Sequence, residues 1–200
     1  MFWDRVAGVY DFFVYVINRK VHKVLTEKVQ SFVVEGDEIL ECACGTGLLT
    51  MAMASKCKSL IATDFSAKML KRAKKKCKRY QNVQFELGNI LRMDYPDNHF
   101  DKVVAGNVIH LLDQPLKALN ELDRLCKKGG KIIIPTYMNK KNGQSNSFVK
   151  TVGKAGADFK QEFTFDSYQA FFKEAGYDKA EFFLIQGKIP CALAVLEKNQ

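Results

Sequence analysis

The stretch Ile39–Asp64, ILECACGTGLLTMAMASKCKSLIATD, predicts the fold of the chain. It opens with a short apolar run, passes through Gly45 and Gly47 into a segment rich in helix formers, and ends in a second apolar run closed by Asp64. A strand, a helix and a second strand in this order almost always form a right-handed parallel crossover. We therefore expect a doubly wound α/β sheet.

The turn between the first strand and the helix has a chemical reason to contain glycine. Without Cβ atoms, Gly45 and Gly47 can take positive φ and let the backbone approach a ligand. The helix that follows offers unpaired N–H groups at its N-terminus, and Asp64 can accept hydrogen bonds from both hydroxyls of a ribose. The pattern predicts a pocket for a nucleoside-containing cofactor, although two glycines alone also fit an ordinary strand-to-helix turn.

The residues around this loop carry a resemblance to a known family. Glu41, the loop Cys44-Gly45-Thr46-Gly47 and Asp64 together resemble the class I S-adenosylmethionine-dependent methyltransferases, whose first strand ends in an acid-x-G-x-G-x-G loop. The resemblance implies that Glu41 helps to hold the methionine amine, that the loop backbone borders the methionine and ribose, and that Asp64 binds the ribose. Ala43 stands where the family usually has glycine, and we expect a slightly tighter turn with no loss of binding.

Two later segments extend the resemblance. Gly88-Asn89-Ile90 stands where the family has G-D-A or G-D-I, which implies that the Asn89 side-chain oxygen contacts the adenine amino group. The segment 107–115, NVIHLLDQP, resembles the N-x-x-H-h-h-x-x-P segment of the ubiquinone/menaquinone-type methyltransferases. The cofactor residues implied by the resemblance are Glu41, Ala43, Gly45, Gly47, Asp64, Phe65, Asn89, Ile90 and Asn107.

Two further residues are candidates for bordering the methyl acceptor, and we name them as the predicted catalytic residues. His110 is the best acid/base candidate because a histidine pKa lies near neutrality, and its alternative role is that of a packed histidine below the cofactor. The opening FWDRVAGVYD (2–11) resembles the F-D-x-x-A-x-x-Y-D opening of many small-molecule methyltransferases. In that group the N-terminal helices form a lid and the tyrosine touches the methionine end, which implies a role for Tyr10 unless it only packs.

Composition and charge set the broad class. The chain has 200 residues, 47% of them hydrophobic, and a formal net charge of +9. The basic run at 68–79 lacks interleaved aromatics, so we interpret it as a solvated helix face rather than a nucleic-acid footprint. No apolar run approaches the ~18 residues of a membrane span, and the N-terminal stretch lacks the pattern of a signal peptide. The six cysteines form no C-x-x-C pair, which favours free thiols, no metal site and the cytoplasm.

The fold predicted from these segments is a three-layer Rossmann-like sandwich with a seven-stranded, mostly parallel sheet whose last strand is antiparallel. We expect one domain, 1–200, in four parts: an N-terminal helical lid (1–34), a cofactor-binding core (37–136), a substrate or lid segment (137–165), and a closing helix and strand pair (166–200). Within the core, 127–130 reads as a glycine C-cap turn between a helix and the fifth strand.

The predicted function is methyl transfer from S-adenosylmethionine to a small molecule by in-line displacement. The lysines of 138–161 suggest an acidic acceptor. Nucleic-acid substrates are disfavoured because neither an [N/D/S]-P-P-aromatic motif nor a Pro-Cys nucleophile follows the fourth strand. A nicotinamide-dependent oxidoreductase shares the crossover and the strand-tip acid, but Glu41, the Asn107 segment and the lack of a Tyr-x-x-x-Lys pair disfavour it. A non-catalytic S-adenosylmethionine-binding module stays open, and the sequence does not indicate an oligomeric state.

Overall fold

The computed structural model describes residues 3–4, 18–138 and 160–199. Tyr10 and residues 139–159 of the predicted substrate segment therefore lie outside the described residues. The elements are α1 (Arg19–Ser31), β1 (Glu38–Cys42), α2 (Leu48–Ala54), β2 (Ser59–Asp64), α3 (Ala67–Lys76), β3 (Val83–Leu87), β4 (Phe100–Ala105), a 3-10 helix (Ile109–Leu111), α4 (Pro115–Leu125), β5 (Cys126–Tyr137), α5 (Phe165–Glu174), β6 (Glu181–Ile185) and β7 (Cys191–Glu197).

The strands form one seven-stranded sheet in the order β3-β2-β1-β4-β5-β7-β6. The pairs from β3 to β5 are parallel, whereas β7 runs antiparallel to both β5 and β6. The predicted mostly parallel sheet with an antiparallel last strand is confirmed. Because the chain leaves β1 toward β2 and later returns to its other side as β4, the strand order reverses at β1, which is where open α/β sheets bind ligands.

Helices cover both faces of the sheet and give the predicted three layers. On one face, α1, α2 and α3 bury side chains such as Val29, Met53 and Leu70 against the sheet. On the other face, α4 and α5 bury side chains such as Leu119 and Phe172. Within the described residues, no helix combines the length and the apolar composition needed to cross a bilayer.

One local prediction was wrong. Residues 127–130 do not form a C-cap turn, because β5 begins at Cys126 directly after α4. Cys126 pairs with Phe100 and Lys131 with Lys102, so the two pairs are five residues apart on β5 but two apart on β4. The extra residues form a bulge at the start of the strand. A Lys-Lys-Gly-Gly stretch can therefore form a strand bulge as well as a helix C-cap.

Candidate active site

A cavity of about 300 Å³ opens at the carboxyl ends of β1, β2, β3 and β4, where the strand order reverses. Its volume lies at the lower end of the range found for small-molecule sites. Its described lining is mostly apolar with a few polar side chains. The lining residues are Trp3, Ala43, Gly45, Asp64, Phe65, Met69, Gly88, Asn89, Ile90, Gly106, Asn107, Val108, Leu111 and Leu112.

The loop after β1 turns through three residues of positive φ: Ala43 at 56°, Gly45 at 57° and Gly47 at 87°. At Gly45 no atom lies within 4 Å of the place where a Cβ would be, so its backbone faces open space in the cavity. At Gly47 a Cβ would lie 3.2 Å from the Cys77 Sγ and 3.3 Å from Ala73. Gly45 is therefore placed to border a ligand, whereas Gly47 lets α2 pack closely on α3 and does not line the cavity.

Ala43 lines the cavity in the left-handed conformation that favours glycine. An alanine in this conformation costs on the order of 1–2 kcal/mol, which explains why the family pattern has glycine at this position.

Asp64 ends β2 and is 9% exposed at the cavity wall. Its Oδ2 accepts a hydrogen bond from the Gly45 N–H and its Oδ1 accepts one from the Ser66 N–H, each at 2.8 Å. Burial raises the pKa of Asp64, while these two backbone bonds act in the opposite direction. Each carboxylate oxygen keeps acceptor capacity, so Asp64 can still receive two hydroxyl donors from a ligand. Phe65, 63% exposed, follows on the same rim.

Glu41 lies deeper, at 2% exposure, and does not line the main cavity. Its Oε2 accepts a hydrogen bond from Thr50 Oγ1 at 2.5 Å, and desolvation raises its pKa to about 8. It borders a second cavity of about 50 Å³ that shares Ala43, Gly45, Gly106 and Asn107 with the first. The structure thus places Glu41 behind the glycine loop, next to the smaller cavity. A cationic amine in that cavity would stabilise the ionised carboxylate of Glu41.

Asn89 and Ile90 line the cavity on the loop after β3. The Asn89 Oδ1 accepts a hydrogen bond from the Leu91 N–H at 3.0 Å, so the side chain also shapes its own turn. A network from α4 holds this loop: the Arg124 guanidinium donates to the carbonyl oxygens of Met93 and Tyr95 at 3.0 and 2.8 Å.

Asn107 follows β4 and lines both cavities. Its φ is 54°, and its N–H donates to the Pro135 carbonyl oxygen at 2.8 Å. Its Oδ1 is buried and has no hydrogen-bond partner among the described residues. Because buried acceptors are nearly always bonded, this oxygen marks a place where a ligand donor fits.

His110 lies in the 3-10 helix and is 5% exposed. The cavity lining includes its neighbour Leu111 but not His110 itself. Desolvation lowers the pKa of His110 to about 4, so the ring is neutral at pH 7. Its carbonyl oxygen accepts hydrogen bonds from the N–H groups of Lys160 and Gln161, both at 3.1 Å. Among the predicted site residues, seven of the nine for the cofactor line the main cavity, while His110 lies behind its wall.

Several lining residues were missed by sequence reasoning. Trp3 and Met69 are not among the predicted site residues, yet both line the cavity. Asp4 accepts a hydrogen bond from Ser66 Oγ at 2.5 Å, which joins the N-terminal segment to the residue that caps α3. An apolar side chain that lines a cavity and one in the core look alike in a sequence, so no signal separated these residues from packing positions.

Three observations show that this cavity suits a nucleoside cofactor with a charged tail. The backbone at Gly45 is open, the Asp64 carboxylate keeps acceptor capacity, and the Asn107 Oδ1 is buried without a partner among the described residues. Aliphatic and aromatic side chains around them can cover an adenine ring.

Comparisons with known proteins agree with this geometry. Residues 40–134 match the model of a family described as a methyltransferase domain. The chain is 27% identical over 212 aligned positions to the ubiquinone/menaquinone biosynthesis C-methyltransferase UbiE of Bdellovibrio bacteriovorus, with 94% of this chain and 90% of the relative covered. It is 29% identical over 203 positions to the demethylmenaquinone methyltransferase of Staphylococcus carnosus, with 90% and 84% covered.

A solved structure shows the same fold. Phosphoethanolamine N-methyltransferase 2 of Haemonchus contortus, in complex with phosphomonomethylethanolamine and S-adenosylhomocysteine, superposes with a TM-score of 0.76 at 15% identity. The superposition covers 98% of this chain and 58% of that chain.

Together these findings support a class I S-adenosylmethionine-dependent methyltransferase, for which S-adenosylmethionine is the cofactor. Within that class it resembles UbiE and the demethylmenaquinone methyltransferases. These likenesses support an enzyme and do not favour the nicotinamide-dependent oxidoreductase or the non-catalytic module considered from the sequence.

Proposed function

We propose that the protein methylates an apolar, ring-bearing small molecule of the quinol type, at carbon. The observation that carries the proposal is the mixed lining of the cavity. Gly45, Asp64 and Asn107 offer polar groups to the cofactor, while Val108, Leu111 and Leu112 add an apolar wall that suits an apolar acceptor. The names of the relatives, which are C-methyltransferases of quinone biosynthesis and demethylmenaquinone methyltransferases, support the same acceptor chemistry.

The residue roles in this proposal combine the family resemblance with the lining of the cavity. Asp64 binds the ribose hydroxyls, and Phe65, Asn89 and Ile90 border the adenine. The backbone at Ala43 and Gly45 runs along the methionine part, while Asn107 receives a donor near the reacting end. Glu41 offers its carboxylate to the methionine amine through the smaller cavity behind the loop. Gly47 acts indirectly, because it sets the position of the loop through helix packing.

The chemistry asks the chain for positioning and for exclusion of water. S-adenosylmethionine supplies an activated methyl group when bound. Transfer of that group to the acceptor carbon would release S-adenosylhomocysteine, and the proton displaced from that carbon would pass to the ionised ring oxygen. The apolar wall holds the acceptor in line and excludes water, which would compete for the site.

His110 is a weak candidate for the base in this scheme. A pKa of about 4 makes the imidazole a poor proton acceptor at pH 7, and the ring lies behind the cavity wall. We propose that an ionised hydroxyl on the acceptor ring activates the neighbouring carbon, and that His110 positions Leu111. Such an acceptor is acidic through its ring hydroxyl and needs no cationic side chain to bind it. Among the described lining residues none is a lysine or an arginine. The lysines of 139–159 lie outside the described residues.

We propose that the N-terminal part, 1–34, and the segment 137–165 close over the cavity, as the single-domain arrangement predicts. Support comes from Trp3 in the lining, from the Asp4–Ser66 hydrogen bond and from the contact of residue 160 with the 3-10 helix. We also propose a cytoplasmic location, which the six buried free thiols support because they suit a reducing compartment.

An acceptor screen tests the proposal. The purified protein is incubated with S-adenosylmethionine and a panel of hydroquinones, catechols, phosphoethanolamine and single-stranded RNA, and S-adenosylhomocysteine release is measured. We expect turnover with a naphthohydroquinone or benzohydroquinone, and mass spectrometry should locate the new methyl group on a ring carbon. Turnover confined to an amine or to RNA, or a methyl group on oxygen, would contradict the proposal.

A further inference from the structure

The helix α3 and the turn after it form a strongly basic surface. Between 68 and 79 the chain has eight basic side chains and no acidic one: Lys68, Lys71, Arg72, Lys74, Lys75, Lys76, Lys78 and Arg79. The opposite side of the helix buries Met69, Leu70 and Ala73 against the sheet. Lys71, Lys74 and Lys75 are exposed. The cations therefore project from the molecule as one group, which we call the α3 basic face.

An apolar groove lies beside the α3 basic face. It runs between the helix and the edge strand β3 and is lined by Ala67, Leu70, Lys71, Lys74, Phe85 and Leu87. The Leu87 side chain is 67% exposed, and Phe65, at the tip of the neighbouring strand, is 63% exposed. With the half-buried Phe85, the exposed Leu87 gives the groove an apolar edge beside the lysines.

This surface continues into the candidate active site. Met69, in the first turn of α3, lines the cavity, and so does Phe65, just before the helix. Gly88 and Asn89, the residues after Leu87 in the chain, line it as well. Whatever docks on the groove therefore lies next to the cavity.

We propose that the α3 basic face, with Leu87, docks on the surface of an anionic lipid bilayer. Clustered lysines and arginines are attracted to anionic headgroups, and flanking apolar side chains insert at the boundary with the acyl chains. Where the acceptor is apolar, as under the proposed function, it dissolves in the bilayer, and docking next to the cavity gives it a short path to the site. A single-stranded nucleic acid fits less well, because the groove offers aliphatic side chains in place of stacking platforms.

Vesicle sedimentation tests docking without any acceptor. The full chain is mixed with vesicles of phosphatidylcholine alone, or of phosphatidylcholine with phosphatidylglycerol, at low and at high salt. We expect binding to the anionic vesicles only, weakened by salt. The triple variant Lys71→Gln, Lys74→Gln, Lys75→Gln should bind them about tenfold to a hundredfold more weakly. The variant Leu87→Ser tests the apolar part and should also lose binding.

A matched control removes the same charge from other surfaces. Lys117, Lys128 and Lys173 are exposed and lie on α4, at the start of β5 and on α5. Replacing all three by Gln should leave vesicle binding within about twofold, because these lysines lie outside the docking surface. Equal loss in both triple variants would overturn the proposal, since it would indicate an effect of net charge alone. Binding of S-adenosylhomocysteine by each variant verifies that it is folded.

The outcomes separate this proposal from the proposed function. If vesicles do not bind while a hydroquinone in detergent is methylated, docking is wrong and the acceptor class stands. If anionic vesicles bind through α3 and no ring compound is methylated, docking stands and the acceptor class is wrong. Binding of a fluorescent single-stranded RNA that depends on the α3 lysines, without vesicle binding, would overturn docking in favour of a nucleic-acid surface.

Discussion

At the residue scale, the site is made of polar groups that are only partly satisfied by the protein. Each carboxylate oxygen of Asp64 accepts one hydrogen bond from a backbone N–H group and can accept another from a ligand. The Asn107 Oδ1 is buried with no partner among the described residues. A ligand that brings hydroxyl and amine donors therefore satisfies groups that are otherwise costly to bury.

Asp64→Ala should weaken S-adenosylhomocysteine binding by about 1–3 kcal/mol, because the ribose hydroxyls lose their acceptor. Isothermal titration calorimetry on the variant and the parent gives the difference. Asp178→Ala is the matched control, since Asp178 is exposed in the turn between α5 and β6, far in the sheet from β2. An unchanged affinity in Asp64→Ala would remove Asp64 from the binding site.

Glu41 should make the free protein less stable as the pH rises. Burial raises its pKa from 4.5 to about 8, so between these values the folded carboxyl keeps a proton that the unfolded carboxyl has lost. The free energy of unfolding then falls with pH by up to about 1.4 kcal/mol per unit from this group. Its contribution is present in full below pH 4.5 and is lost progressively up to pH 8.

The comparison with Glu41→Gln isolates this effect. Urea unfolding at several pH values should give a shallower fall in stability for the variant, which cannot ionise at this position. Parallel curves for the two proteins would show that Glu41 does not carry the proton.

At the scale of elements, the glycine loop is positioned by the packing of α2 on α3. Gly47→Ala should destabilise the protein by more than about 1 kcal/mol, because the new Cβ meets Ala73 and Cys77 and the positive φ disfavours alanine. Thermal unfolding measures the loss. Gly36→Ala is the control, since no atom lies within 4 Å of its Cβ position. Equal melting temperatures for the two variants would argue against the close helix contact.

The loop between β3 and β4 depends on one arginine of α4. Arg124→Lys keeps the charge but loses the forked donors to the Met93 and Tyr95 carbonyl oxygens, so we expect a loss of about 1–3 kcal/mol in stability. Cofactor affinity should fall as well, because the loop carries Asn89 and Ile90. Arg79→Lys, on the exposed turn after α3, should change neither quantity. Unchanged cofactor affinity in Arg124→Lys would show that the binding site does not depend on this loop.

Elements were predicted well where one local rule decides them. The turn at Gly45 follows from the backbone requirement of a positive φ, and the structure shows it. The bulge at 127–130 was missed because it depends on pairing with β4, a strand more than twenty residues earlier. A Lys-Lys-Gly-Gly stretch satisfies a helix cap and a strand bulge equally well, so only the partner strand can choose between them.

At the scale of the whole molecule, the order of elements along the chain was enough to predict the sheet and the edge where the site lies. Trp3 and the Asp4–Ser66 contact could not be found in the same way, because they join the start of the chain to a residue more than sixty positions later. The apolar wall of the cavity, with Val108, Leu111 and Leu112, looks like core in the sequence. Asp64, Asn89 and Asn107 are residue types that a buried core avoids, which is why the sequence pattern pointed to them.

The central claim is that this cavity binds S-adenosylmethionine, and calorimetric titration with S-adenosylhomocysteine tests it most directly. NADH serves as the comparison ligand, because a nicotinamide enzyme shares the crossover and the acid of β2. We predict micromolar binding of S-adenosylhomocysteine at one site per chain and no binding of NADH. Binding of NADH without S-adenosylhomocysteine would contradict the account.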